Sequence, residues 1–123
     1  MKHTIATAIL SLTPGAQFVS STTYDSIQWH SSDITKPTES EITNKIAELD
    51  AGEAKNLLRK DRNRLLTDCD WTRLDDNGLS SSEKTEWATY RQALRDLPAT
   101  QNPTLDSFYE LNFSSVNWPT KPS

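Results

Sequence analysis

Few side chains in this sequence carry ligand or nucleophile chemistry, and those few are scattered. Its histidines are His3 and His30, and its single cysteine is Cys69. A zinc site needs three or four converging ligands, and no CxxC or HxxxH spacing supplies them. Cys69 has no histidine near it in sequence that could activate a thiolate. There is no GxSxG elbow, and 3 glycines cannot furnish a phosphate-cradling loop. The expectation is a protein with no catalytic residues, no metal and no cofactor.

Recognition chemistry is better represented. Trp87, Tyr90, Arg91, Leu94 and Arg95 recur at helical spacing, and Trp, Tyr and Arg are the residue types that dominate binding hot spots. A second group, Phe108, Tyr109, Phe113 and Trp118, lies in a proline-flanked stretch suited to strand addition or groove docking. Trp71 anchors the connector before the first group. Each candidate also has a plain structural reading. The Trp87, Tyr90, Leu94, Leu97 stripe would serve equally as core, packed on Leu57, Leu58, Leu65 and Trp71. Arg91 and Arg95 can be a solvated flank, or Arg91 can pair with Asp68, Asp70, Asp75 or Asp76 and pin the connector. The aromatics of the C-terminal stretch can instead cover an apolar sheet face.

The elements that must position these residues follow from period and punctuation. Thr4 to Leu12 is rich in Ile, Thr and Ala and reads as a strand. Its apolar run after Met1-Lys2-His3 imitates a signal peptide, but Thr4, Thr7 and Ser11 interrupt it, so the strand reading is preferred. Thr13-Pro14-Gly15 is a turn signal. Strands then follow over Ala16 to Ser21 and Ser26 to His30, giving a three-stranded antiparallel meander over residues 1–36.

Residues 37–98 read as helical. Thr38 and Glu41 form a capping box, and Ile42, Ile46 and Leu49 share one face. Ala54, Leu57, Leu58 and Leu65 lie roughly 100° round from that face. The change falls beside Gly52, which costs about 1 kcal/mol in a helix interior. A kink or break is therefore expected there. Asp75-Asp76-Asn77-Gly78 is a turn, and Ser80 with Glu83 repeats the capping box for a last helix that Pro98 should end. On that helix Trp87, Tyr90, Leu94 and Leu97 fall within an arc of roughly 80°. Residues 99–123 read as an extended arm. The expected fold class is α+β: an N-terminal meander, two or three helices and that arm.

Bulk composition limits the partners. Acidic residues number 17 against 13 basic, a net charge of −4, so the basic footprint of a nucleic-acid binder is absent. No apolar run reaches the 18 residues of a membrane span. The hydrophobic fraction of 34% is low for a compact globule, which suits a chain that completes its core with a partner or with further copies of itself.

The second half also resembles a known family. Arg62-Asn-Arg-Leu65-Leu66-Thr-Asp-Cys-Asp-Trp71, the Asp75-Asp76 loop, and Trp87-Ala-Thr-Tyr90-Arg91-Gln-Ala-Leu94-Arg95-Asp96-Leu97-Pro98 look like the phage tail assembly chaperone pattern. That pattern runs Arg-x-x-Leu-Leu-x-x-(Ser/Thr)-Asp-Trp, an Asp-containing loop, then Trp-x-x-Tyr-Arg-Gln-x-Leu-Arg-Asp-(Leu/Ile)-Pro. The sequence departs from it at Cys69-Asp70, between Asp68 and Trp71. The ending Trp118-Pro119-Thr120-Lys121-Pro122 is also similar. In the first half, Pro14-Gly15-Ala16-Gln17-Phe18, Ile27-Gln28-Trp29 and Pro37-Thr38-Glu39 resemble a small module common in phage accessory proteins. The resemblance implies a non-enzymatic helper that binds a tail or tail-fibre protein in the host cytoplasm during assembly. The alternative is a permanent subunit of the virion tail, fibre or baseplate.

Overall fold

A computed structural model describes residues 3–123; Met1 and Lys2, which entered the signal-peptide comparison, lie outside them. The described chain holds three α-helices and one two-stranded antiparallel sheet, an α+β arrangement. It divides into two compact units, residues 1–53 and residues 54–123.

The first unit opens on a helix, α1 (Ile5–Leu12), where a strand was expected. Thr4 caps it, its side chain accepting from the Thr7 backbone N–H. Ala8 and Ile9 are buried, with Ile5 and Leu12 packed beside them. Those four positions are spaced i, i+3, i+4, i+7, which is a helical stripe. The β-branched composition suggested a strand, but periodicity outweighs propensity in so short a segment. Thr13 ends the helix by donating both its N–H and its hydroxyl to the Ile9 carbonyl, each at 2.8 Å. Gly15 then turns the chain at a φ of +84°.

The meander accordingly reduces to a hairpin of β1 (Phe18–Val19) and β2 (Gln28–Trp29), with Phe18 opposite Trp29 and Val19 opposite Gln28. The Phe18 and Trp29 rings stack at 6.1 Å. A short 3-10 turn, Tyr24–Ser26, joins the strands. Ile27 and Ile42 complete the buried cluster with Ala8 and Ile9.

Helix α2 (Glu39–Asp68) is 30 residues long and unbroken. The Thr38 and Glu41 capping box forms as expected, with bonds of 3.0 and 3.1 Å. The expected break at Gly52 does not occur. One glycine costs about 1 kcal/mol, and packing at both ends of a long helix outweighs that. Asp50, two residues before Gly52, meets His3 Nδ1 at 2.8 Å. The change of apolar face has another cause. Ile42 and Ile46 belong to the core of the first unit, whereas Leu57, Leu58, Leu65 and Leu66 belong to that of the second.

The second unit comprises the end of α2, a 3-10 turn at Asp70–Arg73, and α3 (Ser81–Thr100). Ser80 and Glu83 form a complete capping box at the start of α3. Pro98 does not stop the helix, which runs on to Thr100. Proline loses its N–H bond to the preceding turn and crowds the i−4 carbonyl, but two residues from the end little ladder remains to lose. Residues 101–123 are largely irregular, yet they are not a free arm. Leu105 bridges Leu111, Phe113–Ser115 forms a 3-10 turn, and Leu111 and Val116 are buried. This segment covers the helices of the second unit.

Candidate functional site

The aromatic and arginine residues singled out from the sequence all fall in the second unit, but they divide into core and surface. Trp87, Tyr90, Leu94 and Leu97 are buried, as the core reading required. They pack with Leu58, Cys69, Leu111 and Val116, and Leu57, Leu65, Leu66 and Trp118 close the cluster. Trp87 meets Tyr90 edge-on at 5.8 Å and Trp71 at 5.5 Å, the quadrupole-favoured geometry for aromatic pairs. Burial raises the pKa of the Tyr90 hydroxyl, which keeps it a neutral phenol.

Arg91 joins the connector to α3. Its Nη1 donates to the Leu66 carbonyl at 2.8 Å and to Cys69 Sγ at 3.1 Å, and its Nη2 donates to Asp70 Oδ1 at 3.0 Å. Burial works against its charge, but the bonds to Cys69 and Asp70 outweigh it and push the guanidinium pKa up. The expected carboxylate pairing is thus made to Asp70, through one oxygen and without the two-pronged fork. Asp70 is 63% exposed, so the ion pair contributes under about 1 kcal/mol. The bond to the Leu66 carbonyl carries more, because a part-buried hydrogen bond from a charged donor contributes about 1.5–3 kcal/mol. Arg95 is different: its Nε and Nη2 both donate to Gln92 Oε1 on the exposed flank of α3.

Cys69, where the sequence leaves the family pattern, is only 2% exposed. Its thiol donates to the Leu65 carbonyl at 3.3 Å. A serine or threonine in a last helical turn bonds back to the i−4 carbonyl in the same way. Cys69 makes this back-bond with a sulfur. Among the described residues no group of three His, Cys, Asp or Glu converges on a possible metal position.

The surface set is Trp71, Leu74, Phe108 and Phe113, exposed by 45%, 64%, 82% and 54%. Trp118 is half-buried and leans on the core, with Phe113 against it at 5.6 Å. Tyr109 adopts a left-handed backbone, φ 60°. Of these four, Leu74 is the residue the sequence did not single out. Its neighbours Asp75 and Asp76 signal the turn that leaves it in solvent. An open groove of about 680 Å³ also runs between α3, at Thr89, Tyr90 and Ala93, and the terminal Pro119 and Pro122.

The second unit coincides with what known proteins share. A family model described as phage tail assembly chaperone protein matches residues 55–123. The chain belongs to this family. The match begins within one residue of the boundary of the second unit, so the packed Trp87 stripe, the Arg91 junction and the C-terminal cover all lie inside the chaperone region. Membership places the chain in bacteriophage tail assembly, with a tail protein as its partner. No curated protein and no solved structure matches the chain. Among the described residues, no helix is long and apolar enough to cross a membrane.

Proposed function

We propose that the chain is a non-enzymatic assembly chaperone that holds a tail or tail-fibre protein through the exposed aromatic and apolar side chains of its second unit. The observation that carries this reading is the division of the aromatics. Trp87 and Tyr90 build the core, while Trp71, Leu74, Phe108 and Phe113 remain in solvent within the region the family shares. Single exposed apolar residues need no explanation, but several in one small unit are what a partner would cover. The work takes place in the cytoplasm of the infected cell, while the client is newly made and its own apolar surface is unpaired.

Co-expression tests this. Each tail and tail-fibre protein of the phage that encodes the chain is produced with and without it. One of them is expected to gain soluble yield and to co-elute with the chain on gel filtration. If every one is equally soluble alone and none co-elutes, the reading fails.

A further inference from the structure

Among the described residues, Phe108 is the most exposed large apolar side chain, at 82%. It does not sit on a loose terminus. Leu105 and Leu111 bridge the base of its loop, and Leu111 is buried in the core. Across the loop Asp106 N–H donates to the Glu110 carbonyl at 2.7 Å, and Tyr109 N–H donates to the Asp106 carbonyl at 3.1 Å. The Asp106 carboxylate accepts from the backbone N–H groups of Phe108, at 2.8 Å, and Glu110, at 3.1 Å. Below it, Asn112 N–H donates to the Thr104 carbonyl and Thr104 N–H to Ser115 Oγ. Tyr109 is held at a positive φ, which a non-glycine residue tolerates only where its surroundings fix it. The loop is therefore ordered by its backbone and Asp106, and the Phe108 ring adds nothing to that network.

We infer that this loop is a preformed anchor: Phe108 inserts into a ring-sized apolar pocket on the client, and that pocket is rimmed by lysine or arginine. The charge of the rim follows from the loop's own neighbourhood. Between Arg95 and Lys121 the chain carries Asp96, Asp106 and Glu110 and no basic residue. A basic rim would meet Glu110 and the free side of Asp106, and complementary charge steers association and fixes register. A loop whose backbone is already ordered loses little freedom on docking, which is how preorganisation raises affinity. The inference rests on the chaperone reading above and names its principal contact.

The test uses the full chain and whichever tail or tail-fibre protein it retains in co-expression, with Kd measured for wild type, Phe108→Ala, Asp106→Ala and Glu110→Lys. Phe108→Ala should weaken binding about 30-fold or more, as a central aromatic anchor does, while leaving the thermal melt of the chain unchanged. Asp106→Ala, which keeps the ring but loosens the loop, should weaken it about 10-fold. Glu110→Lys should slow association and reduce its dependence on salt. If wild type binds and Phe108→Ala binds as tightly, the anchor is wrong although the chaperone reading stands. If wild type binds no tail protein, the chaperone reading fails and the anchor with it. If Phe108→Ala abolishes a dimer of the chain and leaves client binding intact, the ring is a contact between copies and the inference is overturned.

Discussion

At the scale of the residue, the second unit depends on a few side chains that do two jobs. Trp87 fills the core and carries the edge of Trp71. Trp87→Ala should cost about 3–5 kcal/mol, most of the stability of so small a domain, read as a fall in the urea midpoint. Arg91 separates two effects that a contact map would merge. Removing its exposed ion-pair partner with Asp70→Asn should change stability by less than about 1 kcal/mol. Arg91→Met should cost about 1–3 kcal/mol, because the charged donor that ties α3 to the Leu66 carbonyl and to Cys69 Sγ is then lost. Equal losses in the two variants would show that the ion pair, not the carbonyl, holds the connector.

At the scale of the element, the helices follow local rules where those rules are strong. Both capping boxes were legible, since Thr38 with Glu41 and Ser80 with Glu83 satisfy orphan N–H groups within one turn. In the second of them the backbone N–H and hydroxyl of Ser80 lower the Glu83 pKa. A folded pKa below the unfolded one adds stability above the ordinary carboxylate range, and that stability is lost as pH falls through the folded value. Urea midpoints should therefore drop as pH falls through and below the ordinary carboxylate range, and drop less in Ser80→Ala, which also costs about 1 kcal/mol at pH 7. At Gly52 the break did not form, although a glycine at a change of face looks like one. Gly52 lies inside α2 with nothing within 4 Å of an added Cβ. Gly52→Ala should thus stabilise the chain by about 0.5–1 kcal/mol in urea denaturation, and a loss would mean that the helix needs the glycine after all. α1 was missed for the opposite reason: Ile5, Ala8, Ile9 and Leu12 carry helical spacing in a stretch whose Ile and Thr residues favour strands.

At the scale of the whole molecule, what the sequence hid is long-range. No period in residues 99–123 announces that Leu111 and Val116 will enter the core made by α2 and α3, since that depends on contacts far away in sequence. Phe108 and Trp118 were equally plausible as surface from the sequence. Only the fold separates the ring held out at 82% exposure from the one laid on the core. The stripe on α3 was legible because its spacing and its burial have the same cause. The family match then places this unit in tail assembly, and the remaining question is whether the chain leaves the product or stays in it. Quantitative mass spectrometry of purified virions, set beside the infected-cell lysate, addresses this directly. A chaperone is predicted to be abundant in the lysate and absent from virions; a fixed copy number per virion would contradict that account and make the chain a structural subunit of the tail.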